Sequence, residues 1–545
     1  MMMTGAQAMV KCLEAERVSL LFGYPGAAIC PFYDSLAESS IRHILPRNEQ
    51  NAGHAASGYA RMTGKPAVCV ATSGPGATNL FTAIATAYMD SIPLVVITGQ
   101  VSSELLGRDV FQEVDTTGAA EPFTKYSYLV KDAAEIPRVF KEAFYIASTG
   151  RKGPVLIDMP VDIQRQLLEF RYPEKVDIRG YKPCSKGHPM QIRRVAEAIK
   201  TAKRPLLCVG GGVFAAGAQD AVRTLCEQCS LPVVATMMGL GVLPTGHPLY
   251  IGMLGQSGSE AANRAVEQSD LLILIGARAG DRAVASPQTL EAMTTVVHID
   301  IDAAEIGKNL GTTIPLVGDA ARVAEQLVEQ HPVGEWRKWL EWLEARRAEA
   351  RRPDAPVKDG YIDPNAFIRL LSERMEDDAI YVSDVGENQI WSARNVRIRS
   401  GRFLTTGGMG TMGYALPASI GAKLAAPEKQ VVTVCGDGAF QMAMMELATA
   451  NQHHVPVKLV VMQNGCLGLV REIQQNQYRG REVAVCLDGS PDISGIAAAY
   501  GIPSARIRSM DEAEQAIDTL LDGERSFVLV CMVDPREGTG QEAAV

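Results

Sequence analysis

Apolar residues along the chain gather into short, nearly unbroken runs rich in β-branched side chains, and stretches with helical spacing separate them. The runs are PAVCVATS, IPLVVITG, GPVLIDM, RPLLCVGGG, LPVVATM, DLLILIGA, TVVHIDID, AIYVSDV, QVVTVCGDG, PVKLVVMQNG and FVLVCMVD. Strands that are apolar on both faces and alternate with helices predict parallel sheets covered on both sides. The expected fold class is α/β, built from doubly wound parallel-sheet domains. The opening MMMTGAQAMVKCLEAERV reads as an amphipathic helix, without the basic start and apolar core of an export signal. No apolar run reaches the ~18 residues of a membrane span.

Two shifts in composition interrupt the pattern. RYPEKVDIRGYKPCSKGHP (171–189) is polar and proline-bearing, and WRKWLEWLEARRAEARRPDAP (336–356) reads as a charged helix ending in prolines. They predict three domains, at 1–175, 188–335 and 357–545. The first and last share an internal repeat. HAASGYARMTGKPAVCVATSGPGATNLFTAIATAYMDSIPLVVITGQ runs parallel to GYALPASIGAKLAAPEKQVVTVCGDGAFQMAMMELATANQHHVPVKLVVMQNG. Each copy reads helix, strand, Gly-x-Gly turn, helix, proline, strand. Pro75 occupies the turn of the first copy and Asp437 that of the second.

Composition narrows the partners. A net charge of −9 argues against nucleic acid as the main partner, since phosphate binding needs a basic surface. The eleven cysteines lie mostly inside apolar runs, which fits buried thiols in a reducing cytoplasm. Cys226-Glu-Gln-Cys229 stands without a second ligand pair and reads as two thiols on a core-facing helix. His453 and His454 read as solvated loop residues, while His54 suits either a cofactor region or helix packing.

The candidate chemistry lies in CGDGAFQMAMMELATANQHHVPVKLVVMQNG. Asp437 follows one predicted strand and Asn464 the next, so a right-handed crossover brings both to one sheet edge, where open α/β sheets bind ligands. Gly436 and Gly438 let the backbone approach a bulky anion, and the helix from Ala439 offers free N–H groups to phosphate. A carboxylate with an amide carbonyl is a hard oxygen set, suited to Mg²⁺ or Ca²⁺. The combined reading is a divalent ion bridging protein and diphosphate.

This Gly-Asp-Gly…Asn arrangement resembles the thiamine diphosphate motif, and the whole chain resembles the catalytic subunits of the acetolactate (acetohydroxyacid) synthase family. The likeness runs through FGYPGAAICPFYDSL, RNEQNAGHAASGYAR, ATSGPGATNLFTAIATAYMDSIPLVVITGQ, FQEVD, RKGPVLIDMP, GARAGDR, HIDIDAAEIGKN, SDVGENQIW and GGMGTMGYALPASIGA. It implies pyrimidine-binding and diphosphate-binding outer domains around a Rossmann-like middle domain. By resemblance, Glu49 activates the aminopyrimidine, Met412 supports the bent cofactor and the Gly410 carbonyl meets its ring. Asp437, Asn464 and the Cys466 carbonyl hold Mg²⁺, with Gly436, Gly438, Ala439, Leu467, Gly468 and Leu469 around the diphosphate. The implied reaction decarboxylates pyruvate and transfers a hydroxyethyl carbanion to a second 2-keto acid, giving 2-acetolactate. Arg282 would grip the acceptor carboxylate, with Gln112 and Phe111 lining that pocket. Middle-domain segments resemble the FAD-containing branch, which implies an FAD site at Arg151, Gly211, Gly212, Gly255, Arg278, Asp281, Asp300 and Asp319. In this family Glu49 and Asp437 meet across a subunit interface, so a homodimer or dimer of dimers is expected, with a regulatory small subunit as a further partner.

Several positions depart from the family pattern. Ile473 stands for a tryptophan linked to 2-ketobutyrate preference and Leu469 for a methionine, which favours pyruvate as acceptor. Val161 replaces a lysine, Gln256-Ser257 replace a Met-His pair, Asn48 replaces a histidine and Ala27 a glycine. The segment DPREGTGQEAAV lacks the family's tail motif. Two alternatives stay open: another thiamine carboligase or decarboxylase with a different keto acid, and a weakly catalytic paralogue with an assembly role.

Overall fold

Each of the eleven apolar runs forms a strand in the computed structural model, which describes residues 1–284, 287–349 and 358–540. They are distributed over three six-stranded sheets, every pairing within them parallel. The strands that the pattern did not predict are all three or four residues long, such as Arg42–Ile44 and Ser504–Ile507. At that length periodicity carries little signal.

The N-terminal sheet contains Leu20–Gly23, Arg42–Ile44, Ala67–Ala71, Leu94–Gln100, Tyr126–Leu129 and Val155–Pro160. Numbered along the chain, these strands lie in the order 2-1-3-4-6-5. The C-terminal sheet contains Ile380–Ser383, Arg402–Leu404, Val431–Gly436, Lys458–Gln463, Ser504–Ile507 and Phe527–Met532, and its order is again 2-1-3-4-6-5. The internal repeat is therefore a repeat of topology. The middle sheet, Pro205–Val209 to Ile314–Val317, has the order 3-2-1-4-5-6 of doubly wound dinucleotide folds. Burial on both faces follows from alternation. Val68 and Val70 join one apolar cluster of the N-terminal sheet, while Cys69 and Ala71 join the cluster on its other face.

Packing gathers the described chain into two compact units. One comprises Met1–Pro183, Thr406–Glu428 and Gln441–Val457; the other comprises Cys184–Thr405, Lys429–Phe440 and the chain from Lys458. The helix Ala415–Ala425 thus packs with the first unit, against the helix Glu49–Thr63, its counterpart in the repeat. The contact is reciprocal. A Cβ at Gly58 would lie 2.0 Å from the Ala418 carbonyl, and one at Gly421 would lie 1.9 Å from the Ala55 carbonyl. Only glycine lets the two backbones come so close.

Two expectations change in detail, and the linker helix forms as its pattern predicts. The N-terminal helix begins at Gly5, because Thr4 and Gln7 form a capping box and Met2–Thr4 pairs with Leu167–Glu169. His453 is not a solvated loop residue. Its Nε2 accepts from the Leu45 N–H at 3.0 Å, and burial, helped by nearby Arg42, lowers its pKa to about 4. The charged linker forms the helix Arg337–Glu349, with Trp339 donating to the Pro205 carbonyl at 2.9 Å. The expected boundary at 357 and residues 541–545 lie outside the described residues. Cys226 and Cys229 are both buried free thiols. Among the described residues no helix is long and apolar enough to cross a membrane.

Candidate active site

The first unit carries Glu49. Asn48 caps its helix, accepting from the Gln50 N–H at 2.8 Å, and Glu49 is the first helical residue. The asparagine that departs from the family pattern thus does the work of an N-cap. Glu49 is buried, its Oε2 accepts from Asn79 Nδ2 at 3.0 Å, and its Oε1 lies 3.3 Å from where a Gly76 Cβ would be. Asn79 went unnoticed in the sequence, although it sits one turn into the helix behind the Gly74-Pro75-Gly76 turn.

Over that turn lies the loop from Val101 to Asp115. Gly74 has φ +57, and a Cβ there would press against Gln112 Cβ at 2.9 Å, so only glycine serves. Gln112 itself holds φ +60. Phe111 is 85% exposed.

Gly410 and Met412 belong to the same unit, at the other end of the Glu49 helix. The buried ion pair of Arg61 with Asp90 (2.8 Å) lies near that helix's C-terminus, and Asp90 Oδ1 also accepts from the Gly408 N–H at 2.8 Å. The Thr411 hydroxyl shares a hydrogen bond with Thr86 at 2.7 Å. The segment bearing Met412 is therefore anchored by side chains of the N-terminal domain. His54 has both ring nitrogens unpaired and its ring edge-on to Tyr414; burial lowers its pKa to about 3, which makes it a neutral packing residue.

The second unit carries the Gly-Asp-Gly turn and the strand-end asparagine. Gly436 pairs in register with Met462, so Asp437 and Asn464 leave neighbouring strands at the same edge. Asp437 is buried; its Oδ2 accepts from the Gly465 N–H at 2.8 Å and its Oδ1 from the Gly438 N–H at 3.1 Å. Desolvation outweighs these bonds and raises its pKa to about 6, the condition of a carboxylate that a cation would stabilise. The Asn464 Oδ1 accepts from the Cys466 N–H at 3.1 Å. One carboxylate, one amide carbonyl and a backbone carbonyl suit a hard divalent ion that takes its remaining ligands from a diphosphate and water. No cluster of three His, Cys, Asp or Glu side chains poised for a metal occurs among the described residues.

Sequence reading assigned no role to Glu387, which the structure puts at this edge. Asn464 Nδ2 donates to Glu387 Oε2 at 2.8 Å, Glu387 Oε1 is buried without a partner, and desolvation raises its pKa to about 8. A Cβ at Gly468 would lie 1.8 Å from Glu387 Oε2, so this carboxyl group also fixes the glycine that opens the helix Gly468–Gln477. Leu467 precedes that helix, its N–H donating to the Val485 carbonyl at 2.8 Å, and Leu469 is half-buried in it. Ala439 is buried behind the turn. Ile473, on the same helix, is exposed.

In the middle sheet, Gly210–Gly212 and Gly276 follow the two central strands and touch; a Cβ at Gly212 would lie 2.6 Å from Gly276 Cα. This is the point where strand order reverses, with Gly211 opening the helix Gly211–Ala215 and Arg278, Asp281 and Arg282 on the loop at the same edge. Gly255 accepts close approach by the Arg282 carbonyl, and Arg282 Nη1 donates to Gln256 Oε1 at 2.5 Å. The Gln256 substitution therefore holds the arginine. Asp300 ends its strand and accepts from the Asp302 N–H at 2.9 Å. Asp319 caps the helix Ala320–Val328 by accepting from the Ala321 N–H at 3.0 Å. Arg151 lies in the other unit, its Nε donating to Ser91 Oγ at 3.0 Å.

Comparison with known proteins agrees with this architecture. The description "Thiamine pyrophosphate enzyme, N-terminal TPP binding domain" matches residues 3–119, the central domain matches 192–327 and the C-terminal TPP binding domain matches 384–531. The acetolactate synthase large subunit of Corynebacterium glutamicum is 43% identical, covering 94% of this chain and 84% of the relative. The acetolactate synthase of Arthrospira platensis is 41% identical, over 96% and 93%. The acetolactate synthase large subunit of Lactococcus lactis is 41% identical, over 92% and 88%. The chain belongs to the thiamine pyrophosphate enzymes, and within them to the family of acetolactate synthase large subunits.

Proposed function

We propose that this protein is an acetolactate synthase, converting two pyruvate molecules to 2-acetolactate and CO₂. The observation that carries the reading is the pairing of Asp437 with Asn464 at one sheet edge, in a chain that also holds a buried Glu49 at the head of its helix. Bound thiamine diphosphate supplies the electron sink for decarboxylation. Glu49, oriented by Asn79, holds a proton at the aminopyrimidine nitrogen. Asp437, Asn464 and the Cys466 carbonyl would hold Mg²⁺, and the N–H groups from Gly438 and Gly468 onward would bind the diphosphate. Gly410 and Met412 orient the rings. Arg282, hydrogen-bonded to Gln256, is the proposed partner of the acceptor carboxylate, and Gln112 and Phe111 are proposed as further acceptor-binding residues. Ile473 leaves room without an aromatic contact, which favours pyruvate over 2-ketobutyrate as acceptor.

A homodimer supports this reading better than a lone chain. Glu49 and Arg61 are twelve positions apart on one helix, about 18 Å at 1.5 Å per residue, and the Met412 segment is anchored at the Arg61 end. A single chain thus keeps its Glu49 far from its own Met412, and a second copy brings the two ends together. The domain bounds 1–175, 188–335 and 357–545 go with this reading. FAD is proposed at the strand-order switch point of the middle sheet, where Gly210–Gly212 meet Gly276. A small regulatory subunit is proposed because relatives are described as large subunits. The free cysteines suit the cytoplasm.

The test is product analysis with pyruvate alone and with pyruvate plus 2-ketobutyrate, with thiamine diphosphate and Mg²⁺ supplied and FAD present or absent. Acetolactate from pyruvate, dominant under competition, is expected. Absence of acetolactate from protein shown to bind the cofactor overturns the assignment.

A further inference from the structure

The loop from Val101 to Asp115 carries Phe111 and Gln112, and both of its roots are tied to one short segment of chain. At the first root, Ser103 donates to Asp162 twice, from N–H to Oδ1 at 2.9 Å and from Oγ to Oδ2 at 2.5 Å. At the second, Gln100 Nε2 donates both to the Val114 carbonyl at 2.8 Å and to Asp158 Oδ2 at 2.9 Å. Asp158 Oδ1 takes the Thr98 hydroxyl at 2.7 Å, and Gln100 Oε1 takes the Val101 N–H at 2.9 Å, which fixes the orientation of the Gln100 amide. Asp158 lies within the strand Val155–Pro160 and Asp162 in the first turn of the helix Val161–Arg165, so only three residues separate the two fixings.

We propose that Asp158, through Gln100, and Asp162 are positioning residues that pin the Val101–Asp115 loop over the Gly74–Gly76 turn, holding Gln112 and Phe111 where the acceptor keto acid is captured. The acceptor part rests on the proposed synthase reaction. Three observations favour a positioning role over ordinary strand-end packing. Asp162 bonds the loop directly and Asp158 reaches it through Gln100, although both lie some fifty residues further along the chain. Asp158 is kept as an acid at a place where burial raises its pKa to about 7, with Asp115 adding to the rise; an apolar residue would pack there without that desolvation. Between the pins the loop is held by its own short turns, Leu105 donating to the Ser102 carbonyl at 2.8 Å and Glu113 to the Val110 carbonyl at 3.1 Å, so the side-chain ties to the rest of the sheet sit at its two roots. From the pins, contact passes through Gln112 to Gly74 and from Gly76 to Glu49.

The test uses the full-length protein and three variants: Gln100→Met, which removes both donors at similar volume; Asp162→Ala, at a partly exposed position; and Asp158→Asn. An asparagine at 158 still accepts from Gln100 through its oxygen and donates to the Thr98 hydroxyl through its nitrogen. Q100M and D162A are expected to raise hydrogen exchange of the 103–114 amides by about tenfold, with the three sheets unchanged. They are expected to raise the KM for the second keto acid about tenfold, while thiamine diphosphate affinity and CO₂ release from pyruvate stay within about twofold. D158N is expected to behave as the unsubstituted protein in both measurements. Unchanged loop exchange in Q100M and D162A overturns the pinning. A loosened loop with an unaltered KM, or a fall in kcat alone, overturns the acceptor role. If the unsubstituted protein makes no acetolactate, the synthase reading and the acceptor role fail, and exchange still decides the pinning.

Discussion

The N-terminal and C-terminal sheets share one strand order, 2-1-3-4-6-5, yet their equivalent turns do opposite things. After Ala67–Ala71 the turn is Gly74-Pro75-Gly76, stripped of functional side chains, and it serves as a floor against which Gln112 and Glu49 rest. After Val431–Gly436 the turn carries Asp437 itself, buried and raised in pKa, facing the end of the next strand. The fold supplies an equivalent position at the edge of each sheet; one side chain decides whether that position is bare backing or carries a buried carboxylate. The helices preceding these strands pack against each other. They meet through matched contacts, Gly58 on the Ala418 carbonyl and Gly421 on the Ala55 carbonyl, each glycine three residues after the alanine of its own helix.

Breaking the C-terminal copy should have the largest effect. Asp437→Ala is expected to weaken thiamine diphosphate binding by ~100-fold or more in the presence of Mg²⁺ and to abolish product formation, read by quenching of intrinsic fluorescence on cofactor titration. Breaking the N-terminal copy should separate binding from chemistry. Glu49→Gln keeps the Asn79 contact and the helix start, so cofactor affinity should stay within a few fold while kcat falls by ~10²–10⁴. If the two variants lose binding equally, the division of labour between the copies is wrong.

The shared helix contact is next in size. Gly421→Ala puts a methyl group 1.9 Å from the Ala55 carbonyl, a backbone atom that cannot swing aside. A loss of ~1–3 kcal/mol is expected by chemical denaturation, with a comparable loss for Gly58→Ala. A large loss from one and none from the other would show that the contact is not symmetric.

The smallest effect sharpens the picture of that interface. His54 is buried and neutral, with its pKa lowered from 6.5 to about 3 by desolvation. Below pH 6.5 the unfolded chain binds a proton that the folded chain refuses, so its contribution to stability falls as pH drops from 6.5 towards 3. His54→Leu removes this term. Relative to the unsubstituted protein, the variant should gain about 2 kcal/mol between pH 7 and pH 5, measured by denaturant midpoints. Parallel pH profiles for the two proteins would show that His54 is protonated in the fold.

Much of this was legible in the chain because the physics is local. Continuous β-branched runs specify buried parallel strands, and all eleven appear. A strand-end acid and a strand-end amide 27 positions apart, Asp437 and Asn464, reach one edge because right-handed crossovers leave little alternative. The repeat foretold the shared topology. Other features depend on groups far apart in sequence. Nothing near SDVGENQIW says that Glu387 will meet Asn464 or that Gly468 must be glycine to admit it. Nothing in RNEQ shows that Asn48 is a cap until Glu49 is seen to open the helix. His453 looks like a loop residue until Leu45 brings it an N–H donor.

The sequence by itself determined the strands, the doubly wound class, the duplication and the residues able to carry the chemistry, because periodicity and strand ends are properties of neighbouring residues. The tertiary structure alone decided which of them are held, and by what. Side chains from distant segments, such as Asp90 on Gly408, Asn79 on Glu49 and Gln256 on Arg282, meet only when packed sheets and helices bring them within hydrogen-bond reach.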